Sequence, residues 1–352
     1  MTIDPTSLRL RFLSILGVAP LAGCFFGPTS EGESCIQLAD GDTTCPSQHE
    51  ASERLVGDNC GYSILSVDGE GERRTNEQDT GFGGDRCCYP VTKQETDNGC
   101  VVGRPYYDAG RIVVAEAATA AGWSSGRRPD VRGLTADERR VLADAWTRDA
   151  LIEHASVAAF SRFASELLAF GAPAGLVDGA HRAARDEIRH ARLAFALAST
   201  YAGRRVSPAG FPFPGHVPLT ADLATLAAAT TREGAVGETI VALLAVEALQ
   251  TATDPAVRHV LDVIARDEAR HAELAWRSVR WMIAAGGRPV SAAVQAVFHD
   301  VAARGVTPPE VTFGASESVL AAHGRIRPAA VDRMVRRAMV EVVTPCGAAL
   351  AA

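Results

Sequence analysis

The peptide ARDEIRHAR, Ala184 to Arg192, returns almost unchanged as ARDEARHAE, Ala265 to Glu273. Each copy sets a glutamate three residues before a histidine, Glu187 with His190 and Glu268 with His271. Three residues on an α-helix is about 300° of rotation, so both side chains of a pair leave the same face. A carboxylate and an imidazole side by side are ligands that a redox-active iron or manganese ion accepts with positions left open. One Glu-x-x-His is weak evidence, because i, i+3 pairs also steady surface helices. Two copies inside matched peptides are strong, since two such faces can meet across a helical bundle.

A dinuclear centre of this kind needs one inward glutamate from each of two further helices. Glu153, in LIEHASVAAF, lies 34 residues before Glu187, while Glu233 and Glu238, in REGAVGETI, lie 35 and 30 residues before Glu268. Glu166 and Glu247 each precede their motif glutamate by 21 residues, so the two halves share a register there and the second half carries one extra residue upstream. One inserted residue in a helix is a π-bulge. Glu233 and Glu238 lie about 140° apart on a regular helix, and one inserted residue brings them within about 40°. Gly234 and Gly237 tolerate that winding. Glu233 is therefore read as the counterpart of Glu153, and Glu238 as an additional ligand or a nearby acid. The expected metal ligands are Glu153, Glu187, His190, Glu233, Glu238, Glu268 and His271. Glu166 and Glu247 point away from the ligands beside them and read as surface or interhelical charges. His154, His181, His216 and His259 are read as having no part in the site. Small residues near the motifs, among them Ala150, Ser156, Ala191 and Ala194, leave room for an oxidant or substrate.

Long helices must position these residues. Thr135 with Glu138 forms a capping box, and no Gly or Pro interrupts the chain from there to Phe170. Gly171-Ala172-Pro173 ends the first helix, and a second runs from Ala174 to about Tyr201. AGRRVSPAGFPFPGHVP suits a crossover better than a tight hairpin. A third helix is expected from about Thr220 to Thr253, and a fourth from Asp254-Pro255 to Gly286-Gly287. Two long-helix hairpins joined by one long crossover give a mainly α chain built on a four-helix bundle. Shorter helices follow and are expected on its outside.

At Asp-Glu-x-Arg-His, read twice, the chain resembles the ferritin-like di-iron carboxylate superfamily, over roughly residues 135 to 285. The resemblance implies that Asp186 orients His271 and Asp267 orients His190, with Arg189 and Arg270 in the same outer layer. It also implies two metal ions, iron first and manganese as the alternative, acting on O₂ or peroxide with electrons from an unknown donor. Rubrerythrin-like proteins share the duplicated plan and a second glutamate on the third helix, which fits Glu238. No rubredoxin-type cysteine pairs are found here. The alternatives are a metal-binding or storage protein, and a metal-free scaffold presenting the cysteine-rich segment.

The N-terminus points to export. Arg9 and Arg11 precede FLSILGVAPLAGC, an apolar stretch too short to span a bilayer. Leu21-Ala22-Gly23-Cys24 resembles the bacterial lipobox, which implies cleavage before Cys24, acylation of its thiol and a membrane anchor. Phe25 in place of aspartate favours the outer membrane of a bacterial envelope. Cys35, Cys45, Cys60, Cys87, Cys88 and Cys100 then read as three disulfides, with adjacent Cys87 and Cys88 going to different partners. A net charge of −7 gives nucleic acid no basic face to bind. The chain thus divides into a leader at 1–23, a tether at 24–34, a small disulfide-rich domain at 35–102, a linker at 103–134, the bundle at 135–286 and a C-terminal helical extension at 287–352.

Overall fold

The computed structural model describes residues 3–16, 33–37, 44–55, 57–59, 62–67, 69–74, 86–95, 104–108, 111–213, 215–304, 306 and 314–351. The chain is mainly helical and forms two compact units. One comprises Met1–Gly23, Val102–Val294 and Glu310–Ala352, and the other Cys24–Val101 with Gln295–Pro309. Cys24, Cys60 and Cys100 lie outside the described residues, as does the tether at 24–32.

Helix α1, Pro5–Leu16, starts at Asp4, whose carboxylate accepts from the Ser7 amide at 3.0 Å. It buries Leu8, Phe12 and Leu16, with the Phe12 ring 5.9 Å from that of Trp276. Arg11 pairs with Glu273 and Arg280 donates to the Ile15 carbonyl. Within the segment read as a leader, Pro5–Leu16 is thus a packed helix of the bundle unit.

In the other unit a five-stranded sheet has β1 (Glu33–Gln37), β5 (Arg86–Glu95), β3 (Tyr62–Val67) and β2 (Gly57–Asn59) in that order, and β4 (Glu72–Arg74) also pairs with β5. Helix α2, Gln48–Leu55, precedes β2. All the pairings are antiparallel. The Cys45–Cys87 disulfide ties β5 to the chain ahead of α2. Cys88 is disulfide-bonded as well, so the two adjacent cysteines have different partners. A cysteine sulfur forms one disulfide only, and because successive strand residues point to opposite faces the two bonds leave opposite sides of β5.

The bundle begins with α3, Ala136–Ala169, whose Thr135–Glu138 capping box is fully formed. It ends in a Schellman motif: the Ala172 amide donates to the Leu167 carbonyl, the Gly171 amide to that of Leu168, and Gly171 sits at φ 70°. Helix α4, Ala174–Ala202, returns against α3. The crossover leads to Asp222, which caps α5, Leu223–Ala229. The same rod continues as a π-helical segment, Thr230–Glu238, and as α6, Thr239–Thr251. Leu223–Thr251 is apolar and long enough to cross a membrane, but 67% of its most apolar window is buried inside this fold. Asp254 caps α7, Pro255–Arg304, accepting from the Ala256 and Val257 amides at 2.8 and 3.0 Å. That rod breaks at Gly287, φ 63° and ψ −144°, a conformation that favours glycine. The expected end of the fourth helix is therefore a kink, and the chain remains helical beyond it.

Two other expectations are corrected. Residues 103–134 are no linker, because Tyr106 is fully buried against Ala155, Ala158 and Ala159 of α3. Ala117–Ala118 also pairs with Ser207–Pro208, which pins the crossover. The C-terminal helices α8 (Glu317–Ala322), α9 (Pro328–Ala338) and α10 (Thr344–Ala351) are more than outer decoration. Val342, Val343 and Cys346 are fully buried, and burial pushes the Cys346 thiol up to about 12.

The π segment lies close to α7 at Gly234, where a Cβ would stand 2.5 Å from the Ala275 Cβ. Gly234→Ala should therefore overpack this crossing and cost about 1–3 kcal/mol, read as a lowered midpoint in thermal unfolding.

Candidate metal centre

Helix α3 supplies Glu153, α4 supplies Glu187 and His190, the π segment supplies Glu238, and α7 supplies Glu268 and His271. These side chains form two overlapping groups, Glu153, Glu187, His190 and Glu268 in one, Glu238, Glu268 and His271 in the other, each with its ligand atoms within 4.8 Å of one another. Glu268 belongs to both. Glu187 also spans them, with one oxygen 3.5 Å from His190 Nδ1 and the other 3.1 Å from His271 Nδ1. All but Glu153 are buried to 2% exposure or less; the Glu153 side chain is 16% exposed.

Both imidazoles turn Nδ1 inward. His190 Nδ1 lies 3.4 Å from Glu153 and 3.3 Å from Glu268, while His271 Nδ1 lies 3.1 Å from Glu268. The opposite nitrogens meet aspartates across the bundle. His190 Nε2 and Asp267 Oδ2 are 3.0 Å apart, a hydrogen bond, and His271 Nε2 stands 3.5 Å from Asp186, an ion-pair distance. Arg189 binds both Asp186 and Asp267, and so does Arg270. Each helix thus holds the other's histidine in place, an arrangement that fixes ring orientation around a metal.

Three buried atoms in the cluster have no hydrogen-bond partner among the described residues: Glu187 Oε2, His190 Nδ1 and His271 Nε2. The first two face inward, among carboxylate oxygens that can only accept when ionised. A cation is the partner this donor set fits, so the buried Glu/His group can bind metal ions.

Charge in the cluster is balanced by protons. Burial, then the neighbouring Glu187, raises Glu153 well above the carboxylate range; burial, then Glu268, does the same to Glu238. Burial alone would raise Glu268 too, but His271 and His190 hold it well below that range. Burial opposes charge on the imidazoles, yet Asp267 and three glutamates raise His190, and Glu268, Asp186 and Glu187 raise His271. The shifts thus favour the neutral form of Glu153 and Glu238, the ionised form of Glu268 and the protonated form of both imidazoles.

Glu233 stands apart from both groups. Its Oε2 lies 3.6 Å from Arg104 Nε, and Glu238 is the π-segment acid that joins Glu268 and His271. The expected ranking of these two glutamates is corrected. A π-helix stacks residues five apart, so both acids share a face, but Glu233 sits one turn away and turns to a guanidinium. Glu166 is corrected as well: it is buried, and accepts from the Thr220 amide at 3.3 Å. Glu247 pairs with Arg333 of α9 at 3.3 Å, an interhelical charge. His154 packs edge-on against Trp123 at 4.7 Å, away from the ligands. Sequence reasoning missed Arg104 and Phe160, whose ring lies 5.0 Å from the His271 ring. The available signal for Arg104 was Arg-Pro-Tyr-Tyr, an aromatic cluster too apolar for a linker.

Comparison of the chain with protein-family models, with curated proteins and with solved structures finds no match in any of the three.

Burial would raise Asp267, but the His190 hydrogen bond and nearby charges hold it at about 2. A depressed carboxyl contributes stability that is fully present above its unfolded pKa of about 3.9 and is lost as pH falls through the folded value. Asp267→Asn should therefore lower unfolding stability at neutral pH. The gap from the parent protein should narrow as pH falls below about 4 and close near 2, followed by denaturant unfolding across that range.

Proposed function

We propose that this chain is an exported, lipid-anchored relative of the ferritin-like di-iron carboxylate proteins, a redox protein acting on O₂ or peroxide. The observation that carries the reading is the buried pair of Glu-x-x-His faces with inward Nδ1 atoms and shared carboxylates. Glu153 with His190 would hold one ion and Glu238 with His271 the other, with Glu187 and Glu268 between the two. Iron is the first choice and manganese the second. When bound, such a pair supplies one-electron steps and open positions for an oxidant.

The chain's own residues do the rest. Asp267 at His190 Nε2 keeps Nδ1 directed inward, and Asp186 stands in the same position beside His271. Burial of the other ligands excludes water. Glu153, the one partly exposed ligand, gives protons their way in and out. Acylation at Cys24 would tether the molecule to a bacterial envelope membrane, which argues against a closed storage shell. Cleavage before Cys24 also removes α1, uncovering the fully buried Trp276 against which Phe12 packs.

Elemental analysis after anaerobic iron loading should find about two irons per chain, lost in a Glu187→Ala, Glu268→Ala double variant. A folded protein that takes up no metal would sink this reading. An ion must compete with protons for Glu153, Glu238, His190 and His271, so affinity should rise with pH. Titration calorimetry in buffers of different ionisation heat should show net proton release on binding. Mass spectrometry of protein extracted from envelopes should find Cys24 at the N-terminus, bearing acyl chains. An intact Met1 would refute export processing and leave α1 as a permanent element.

A further inference from the structure

A cavity of about 290 Å³ lies between α3, the crossover and the start of the π segment, outside the ligand cluster. Phe163, Leu219 and Leu226 give it an apolar wall, and Arg104 and Arg162 are its cationic side chains. Arg104 is 4% exposed, and its guanidinium lies 3.9 Å from the centre of the Phe163 ring. It has five N–H donors. Among the described residues its acceptors are the Thr230 hydroxyl at 3.5 Å and Glu233 at 3.6 Å, both longer than a well-formed hydrogen bond. A buried guanidinium with only long contacts gains most from one planar acceptor that can take two N–H groups together.

We propose that this cavity binds a small monocarboxylic acid with an apolar body, its carboxylate on the Arg104 edge and its body against Phe163, Leu219 and Leu226. Stacking on Phe163 covers a face of the guanidinium and leaves its N–H edge for bidentate contact. Arg162, Glu166 and Glu233 line the same cavity, so its charges are mixed, and recognition of a carboxylate rests on the donor fork of Arg104. At the roughly 30 Å³ that a water takes in the liquid, the volume equals about ten waters, ample for an acid the size of benzoate. Phe160 connects the cavity to the centre, 5.3 Å from Arg104 on one side and 5.0 Å from His271 on the other. Calling this acid the substrate class rests on the redox reading above; its binding does not.

Calorimetric titration of the full chain, metal-free and iron-loaded, with benzoate and benzamide tests the proposal. Benzoate should bind in both forms, and neutral benzamide about tenfold more weakly or not at all. Arg104→Gln should lose at least about tenfold in benzoate affinity, and Arg104→Lys should not restore it, since lysine lacks the planar fork. Glu233→Gln removes the competing carboxylate and should tighten benzoate binding, a gain that a merely structural Arg104–Glu233 pair would not produce. Equal binding of benzoate and benzamide by the parent protein, or no benzoate binding, overturns the proposal without any variant. Benzoate binding by a chain that takes up no metal would leave the site standing and remove the redox reading. Two irons per chain without benzoate binding would do the reverse.

Discussion

Four carboxyl groups and two imidazoles share one buried volume, and that crowding of charge is the constraint on which the rest of the structure depends. Ionised acids cannot be held together in a low-dielectric interior without compensation. In this protein the compensation is protonic: burial and neighbouring acids push Glu153 and Glu238 up, and the surrounding carboxylates push His190 and His271 up. Cations of sufficient charge can replace those protons without unbalancing the site. The same need continues outward, where Asp186 and Asp267 face the histidines and Arg189 and Arg270 close the layer at the surface. Charge alternates from the centre to solvent, so each layer is neutralised by the next.

Holding such a cluster requires rigid helices. Helix α3 is fixed at both ends by local interactions, the Thr135–Glu138 box and the Gly171 turn. Helices α4 and α7 are tied by the crossed aspartate contacts, which reward only one relative register of the two. The third rod is the exception, wound as a π-helix over Thr230–Glu238. That winding is uncommon and tends to mark functional sites. It puts Glu233 and Glu238 on a common face in successive turns, one reaching the centre and the other reaching Arg104.

Arg104 gives the segment ahead of the bundle a structural purpose. With Tyr106 packed on α3 and Ala117–Ala118 paired to the crossover, this stretch walls off one side of the bundle. The expected room beside Ala150, Ala191 and Ala194 is not where the 290 Å³ cavity lies; those alanines are fully buried, and the open volume is bounded by Ala159, Ala229 and Arg104. Small side chains in this chain serve close helix packing as readily as they make space.

Features set by residues close in sequence were legible without coordinates. The Glu-x-x-His pairs share a face because helical geometry is local, and the repeat of Ala184–Arg192 at Ala265–Glu273 marked two faces that could meet. The capping box, the break near Gly287 and the extra residue before Glu238 were readable for the same reason, since each depends on only a few neighbouring dihedrals. Tertiary structure decided the rest. Whether Glu233 or Glu238 faces the centre depends on Arg104, which approaches from far upstream and is invisible to helical periodicity. That Glu166 is buried depends on Thr220 in the crossover, and the pairing of Cys87 with Cys45 on how the sheet folds back. Contacts between distant segments leave no spacing in the chain to read, because they are set by packing and loop closure rather than by local winding.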